Sequence, residues 1–100
     1  MKFTKNADTN GTYFQGYLLA TFEDLEAVFG ESEGAGDKTT QEWSLRFADG
    51  TVATIYDWKE YNTPCGLYDW HVGGVSEQAL VRVQQAFSQN RTRKSKRVIA

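Results

Sequence analysis

The sequence predicts an α+β fold in which a small antiparallel sheet packs against two helices. One observation is an alternating segment at 43–47 that runs into Asp49-Gly50, a combination typical of a β-hairpin. A second is the helical spacing of apolar residues in two segments, 22–29 and 77–87. A third is the length of 100 residues, which suits one domain with a single two-layer core. Together they predict the element order β-α-β-β-β-α.

The first strand and the first helix each carry local sequence signals. Residues 1–11 are polar and end in an Asn-Gly turn, and residues 12–19 are rich in strand-forming Tyr, Phe and Leu. Gly16 within that strand marks a bulge or a close backbone approach. Thr21 is the expected N-cap of the following helix, because acidic residues come next in its first turn. Gly30 is expected to end this helix.

The hairpin after the helix has two possible registers. A two-residue turn at Asp-Gly would place Tyr56 on the buried face with Trp43. A three-residue loop with Gly50 in the left-handed region would place Ile55 on that face instead. Tyr56 and Trp58 would then lie on the opposite face. We favour the three-residue loop because it buries Ile55.

The C-terminal part is predicted to form a strand, a helix and a tail. A short strand at 69–73 leads to Ser76, the expected N-cap of a helix with apolar residues on one side. Residues 91–100 show no hydrophobic periodicity and are expected to be disordered. The predicted organisation is therefore one domain over residues 1–90 and a flexible basic tail.

Composition favours a location inside the cell. Fourteen aromatic residues compensate for a hydrophobic content of 40%, which is lower than usual. The single cysteine, Cys65, permits no intramolecular disulfide, which favours a reducing compartment such as the cytoplasm. No apolar segment approaches the roughly 20 residues needed to span a bilayer. We therefore expect a soluble cytoplasmic protein with no membrane partner.

The charge is divided between an acidic body and a basic tail. Residues 1–90 contain six basic and thirteen acidic residues, a charge of −7. Residues 91–100 contain five basic residues and no acid. Such a tail could contact the phosphates of a nucleic acid without reading its sequence, although the acidic body would repel the same polyanion. The candidate phosphate-binding residues are Arg91, Arg93, Lys94, Lys96 and Arg97.

Catalytic and metal-binding patterns are weak. His71 is the one histidine, and a Cys-His nucleophilic pair with Cys65 would have no evident third residue to orient it. Asp57, Glu60 and Asp69 could join His71 at a metal, but acidic residues at strand ends are more often simply solvated. We expect no metal, no cofactor and no enzymatic activity.

A glycine pair before the last helix offers an alternative anion-binding or nucleotide-binding site. Gly73 and Gly74 precede Ser76, and free backbone N–H groups at a helix N-terminus attract anions. The segment lacks the spacing and the lysine of a P-loop. An ordinary strand-to-helix turn with a serine cap is the more common meaning of such a segment.

Aromatic residues are concentrated between positions 56 and 74. Tyr and Trp often anchor protein interfaces, and aromatic rings also stack on nucleic acid bases. The alternative is that they form part of the core of a chain that has few aliphatic residues. The candidate partner-binding residues are Tyr56, Asp57, Trp58, Lys59, Tyr61, Tyr68, Trp70 and His71.

The segment DGTVATIYDWK at 49–59, followed by WHVGG at 70–74, resembles a group of small phage and prophage proteins. The same group carries a Phe-Gly stretch, here Phe29-Gly30, and a strand that bears a tryptophan, here Trp43. The resemblance covers roughly residues 20–88 and leaves out the basic tail. It implies a viral setting and a shared fold rather than a defined activity.

These observations favour a non-enzymatic protein that binds a host component through its aromatic region. In a viral setting, such binding would serve host takeover or the evasion of host defence in the host cytoplasm. The preferred partner is a host protein. The alternatives are a nucleic acid bound by the tail and the aromatic residues, and a nucleotide sequestered at the glycine pair.

Overall fold

The computed structural model describes the backbone of residues 2–99 and the side chains of residues 2–89. Five strands form one antiparallel sheet, and two helices pack on it, so the predicted α+β class is confirmed. The elements are β1 (Phe3–Lys5), β2 (Tyr13–Ala20), α1 (Phe22–Phe29), β3 (Glu42–Phe47), β4 (Val52–Tyr56), β5 (Tyr68–Gly74) and α2 (Gln78–Ile99).

The sheet order is β1-β3-β4-β5-β2, with every neighbouring pair antiparallel. The sequence prediction missed β1, because three residues of mixed polarity are too few to show an alternation. Packing of the Phe3 ring against Phe29 and Phe47 stabilises this strand. The strand order places β1 and β2 at the two edges of the sheet.

Local signals fix both ends of α1 as predicted. The Thr21 hydroxyl accepts a hydrogen bond from the backbone N–H of Asp24 at 3.0 Å, as an N-cap does. Gly30 adopts a φ of +86° and donates its N–H to the carbonyl of Glu26. A positive φ suits glycine because a Cβ atom would be strained there.

The hairpin between β3 and β4 has the three-residue loop that we favoured. The backbone N–H of Phe47 donates to the carbonyl of Thr51, and Gly50 has a φ of +89°. Trp43 consequently faces Ile55 across the pair, and both are fully buried. Tyr56 lies on the other face, as this register predicts.

The core lies between one face of the sheet and the two helices. Trp43 and Trp70 meet edge to face, with ring centroids 5.7 Å apart, and Phe22 packs against both. Their indole N–H groups donate to backbone carbonyls, so neither buried ring leaves a polar atom unpaired. Leu25 and Val83 contribute the helix side of this cluster.

The predicted flexible tail, residues 91–100, lies outside the part of the chain whose side chains are described. The backbone of residues 91–99 forms the last part of α2, and the phosphate contacts proposed for the tail remain a prediction. Within the described residues, no helix is long and apolar enough to cross a bilayer.

Candidate functional site

Five rings gather on the sheet face that is opposite to the helices. Strand alternation places them there: His71 lies between buried Trp70 and Val72, and Tyr56 follows buried Ile55. We call this group the ring cluster. Its members are Phe14 and Tyr17 from β2, Tyr56 from β4, His71 from β5, and Trp58 from the segment after β4.

His71 occupies the centre of the ring cluster. Its imidazole stacks on Tyr56 at 5.3 Å with an interplanar angle of 27°, and it meets Tyr17 edge to face at 5.0 Å. Phe14 and Trp58 complete the surround, with centroids 5.3 Å and 6.4 Å from the imidazole. The five rings line a concavity of about 390 Å³.

A β-bulge brings Phe14 and Tyr17 to the same face. These residues are three apart, so regular alternation would place them on opposite faces. The register of β2 against β5 shifts between Phe14 and Gly16, which inserts the extra residue that is needed. The predicted bulge at Gly16 is therefore confirmed, and a Cβ at this position would lie 2.7 Å from the Leu80 side chain.

Hydrogen bonds on both sides hold the backbone around Trp58. The buried carboxylate of Asp57 accepts from the N–H of Thr40 at 2.7 Å, from its hydroxyl at 2.6 Å, and from the N–H of Gln41 at 3.2 Å. On the other side, the backbone N–H of Lys59 donates to the carbonyl of Lys38 at 2.8 Å. Trp58 is therefore presented by a fixed segment, while 41% of its surface stays exposed.

Burial in the ring cluster favours the neutral form of His71. Burial lowers the pKa of His71 below its usual value of 6.5, and the carboxylates of Asp57, Asp69 and Glu60 oppose that shift. Burial, with the carboxylate of Glu42, raises the pKa of Tyr56 above 10.0. The cluster therefore presents an uncharged aromatic surface near neutral pH.

Two cations lie beside this uncharged surface. The Nζ atom of Lys38 is 5.9 Å from the centroid of the Trp58 ring, and that of Lys59 is 5.7 Å away. Both distances permit a cation–π interaction. Lys59, one of the predicted partner-binding residues, therefore lies beside the ring cluster.

A second, more polar concavity of about 240 Å³ adjoins the ring cluster and shares Tyr56 and Trp58 with it. Hydroxyl groups and one carboxylate line it, from residues that include Thr12, Thr39, Thr54 and Glu42. The two concavities together form a continuous surface with an aromatic part and a hydrogen-bonding part.

The structure brings only some of the predicted partner-binding residues together. Tyr56, Trp58 and His71 belong to the ring cluster. Tyr61 is fully exposed and has no ring contact among the described residues. Tyr68 is half-buried, packs on Trp70 and accepts the backbone N–H of Trp58, so it supports the site from below.

Burial shows that the prediction was wrong for two of the partner-binding residues. Asp57 has no exposed surface, because its carboxylate is turned inward and accepts hydrogen bonds from the backbone N–H groups of Thr40 and Gln41. Trp70 also has no exposed surface, because alternation along β5 turns it towards the helices. Neither side chain can touch a partner from this position.

The interpretation of the glycine pair as an anion-binding turn is also wrong. Gly73 and Gly74 are not an exposed turn, because both are buried in β5 and pair with β2 and β4. A Cβ at Gly74 would overlap the methyl group of Ala79, and one at Gly73 would lie 2.5 Å from the Thr54 hydroxyl. The hydroxyl of Ser76 accepts the N–H of Gln78, the first residue of α2, at 3.3 Å. The pair therefore permits close packing and does not offer N–H groups to an anion.

The sequence prediction missed Phe14 and Tyr17 as site residues. Their strand was recognised, but they lie about 40 residues before Tyr56, and only the pairing of β2 with β5 brings them to His71. The glycine at position 16 was the one signal that their side chains share a face.

Three observations on the described residues concern catalysis and metal binding. His71 Nδ1 is buried and has no hydrogen-bond partner, so no carboxylate orients this imidazole as a general base. Cys65 is an exposed thiol in the loop between β4 and β5. Residues 2–89 contain no group of three side chains that could hold a metal ion.

No family model, no curated protein and no solved structure matches this chain.

Proposed function

We propose that this protein is a non-enzymatic binding module and that its ring cluster receives an apolar or aromatic side chain of a partner protein. The observation that carries the proposal is the concavity lined by five rings on a sheet face without helices. Large rings left partly exposed are costly for a small domain that needs aromatic residues for its core. A partner that covers them would recover this burial.

The shape of the ring cluster supports insertion of a single anchoring side chain. Its volume of about 390 Å³ exceeds that of one large side chain, and edge and face surfaces of the rings are both available. Trp and Tyr are enriched among interface residues that dominate binding energy. The adjoining threonine hydroxyls and Glu42 could bind the backbone of the same partner.

Charge favours a protein partner over a nucleic acid. Residues 1–90 carry a charge of −7, which opposes the approach of a polyanion to the domain. From the resemblance to small phage proteins, we propose a host protein as the partner, whose capture would serve host takeover or the evasion of defence.

A second candidate is a nucleic acid or nucleotide whose base stacks on the ring cluster. Lys38 and Lys59 beside Trp58 favour it, because a stacked base would bring its phosphate towards cations at this rim. Residues Arg91, Arg93, Lys94, Lys96 and Arg97 would add phosphate contacts. Such binding would weaken steeply with salt, whereas insertion of an apolar side chain would not.

The test compares partner capture by the wild type and by Trp58→Ala. Both proteins are immobilised and exposed to bacterial lysate, and bound proteins are quantified by mass spectrometry. We expect at least one protein to be captured by the wild type and lost about tenfold or more with Trp58→Ala, as for an interface anchor. A purified candidate is then titrated while fluorescence is recorded, since Trp58 is exposed and Trp43 and Trp70 are buried.

Tyr61→Ala is the matched control. Tyr61 is an equally large exposed ring outside the ring cluster, so its removal should leave capture unchanged. A single-stranded oligonucleotide at low and high salt serves as the second arm. Equal capture by all three proteins, together with no change in fluorescence on adding oligonucleotide, would show that the ring cluster is not a binding site.

A further inference from the structure

We infer that the protein forms a symmetric dimer in which β2 of one copy pairs with β2 of a second copy, so that the two sheets become one. The inference concerns the edge of the sheet and is independent of what the ring cluster binds. It rests on the composition, exposure and register of β2.

The two edges of the sheet differ in how they are protected from pairing. Edge β1 is three residues long and carries Lys5, with Lys2 just before it. Short length and lysine are two common devices that prevent edge strands from associating. Edge β2 is eight residues long and contains no charged residue and no proline. Its only protective feature is the bulge at Phe14–Gly16.

The exposed apolar side chains also concentrate on β2. Nine large apolar side chains are strongly exposed in residues 2–89, and four of them belong to this strand. They are Tyr13, Phe14, Tyr17 and Leu19. A long apolar edge is prone to associate with another strand, so a stable protein needs something to cover it.

The absence of charge in and around β2 favours a second copy of β2 as the strand that pairs with this edge. In a symmetric pair each strand meets its own sequence, so charged residues near the centre would face like charges. Residues 9–22 contain no charged residue, although 24% of the whole chain is charged. The uncharged segment includes all of β2, so two copies of this strand can pair without bringing like charges together. The nearest charged residues on either side are the acids Asp8 and Glu23.

The bulge determines which part of β2 can pair. The strand is regular from Gly16 to Ala20, beyond the register shift. An antiparallel pairing centred on Leu18 places Tyr17 opposite Leu19 of the second copy, and Leu19 opposite its Tyr17. Both side chains are more than half exposed in the single chain and lie on the open face. Aromatic–aliphatic pairs of this kind stabilise neighbouring strands.

The dimer would also change the binding surface. Antiparallel pairing of two identical edges has its two-fold axis perpendicular to the sheet, so both helical layers lie on one side. The two ring clusters then lie on the other side, next to each other, because Phe14 and Tyr17 are on the pairing strand. A partner with two copies of its anchor would gain affinity from this arrangement.

The test measures association of the full chain with and without Leu19→Lys. We expect the wild type to sediment as a dimer over a wide concentration range. Leu19→Lys should weaken dimer formation at least about tenfold, because the symmetric interface contains the added charge twice. Leu67→Lys is the control, since it makes the same change at a residue that is 66% exposed outside β2. Circular dichroism verifies that both variants are folded.

Hydrogen exchange of the wild type provides a measurement that needs no variant. In the dimer, the outward N–H groups of residues 16–20 become bonded, so their exchange should slow as concentration rises. A wild type that is monomeric at all concentrations, or exchange at 16–20 that does not depend on concentration, would overturn the inference. A dimer that survives Leu19→Lys would place the interface elsewhere and would also overturn it.

Discussion

His71 illustrates how the environment of one residue sets the character of the whole ring cluster. Its Nδ1 atom is buried without a partner, so the neutral tautomer with its proton on Nε2 is favoured over one with an unpaired buried N–H. Protonation would place a charged N–H at the same unsatisfied position. This is the physical reason why burial lowers the pKa of His71, even though nearby carboxylates favour the charged form.

The lowered pKa of His71 predicts how stability depends on pH. Between the lowered folded pKa and the unfolded value of about 6.5, the unfolded chain binds more protons than the folded one. The free energy of unfolding should therefore fall as pH decreases through this window. Above the window, the contribution of neutral His71 to stability is complete. Urea titrations at several pH values measure this slope. We expect His71→Phe, which retains a ring, to flatten the dependence; an unchanged slope in that variant would contradict the assignment.

Asp57 acts through the backbone that it holds, which explains why an apparent surface acid proved to be buried. Its two carboxylate oxygens receive three hydrogen bonds from Thr40 and Gln41, and these compensate for the loss of hydration. The loop before β3 is thereby fixed to the segment that carries Trp58. The residue contributes to the site by positioning its neighbour.

Replacing Asp57 should affect stability more than surface acids do. We expect Asp57→Ala to lower the free energy of unfolding by about 3 kcal/mol, because it leaves buried donors of Thr40 and Gln41 unpaired. Asp69→Ala removes an exposed acid and should change stability by less than about 0.5 kcal/mol. Urea unfolding of both variants compares them. Similar small losses in the two would indicate that the Asp57 hydrogen bonds contribute little.

Among the elements, β5 shows how packing on both faces restricts a strand. It lies between β4 and β2, and its last two residues are glycines that face Thr54 on one side and Ala79 on the other. Glycine in a strand interior is usually unfavourable, because its backbone loses more conformational entropy on folding and it contributes no side-chain contact. Here the close approach of neighbouring groups requires it.

The contact between Gly73 and Thr54 can be tested by a double-mutant cycle. Gly73→Ala should destabilise the fold by about 1–3 kcal/mol, because its Cβ would lie 2.5 Å from the Thr54 hydroxyl oxygen. Adding Thr54→Ala removes that oxygen and should recover part of the loss, with a coupling of about 1 kcal/mol. Chemical unfolding of the four proteins measures it. Strictly additive effects would place the steric conflict elsewhere.

For the whole molecule, the ring cluster depends on a sheet whose strand order differs from the chain order. Its members come from β2, β4, β5 and the segment after β4, and β2 reaches the site only because it crosses to pair with β5. The same crossing places β2 at an edge, where its apolar residues become available to a second copy. The proposed recognition and the proposed self-association both depend on this strand order.

The amino-acid sequence alone determined the α+β class, the caps of α1, and the three-residue hairpin loop that turns Tyr56 outward. These features depend on neighbours within a few residues, whose spacing and turn chemistry are visible in the sequence. Tertiary structure alone decided that Asp57 and Trp70 are buried, that Gly73 and Gly74 lie inside the sheet, and that Phe14 and Tyr17 join His71. The physical reason is that burial depends on which distant strand or helix covers a residue, and local propensity carries no information about that pairing.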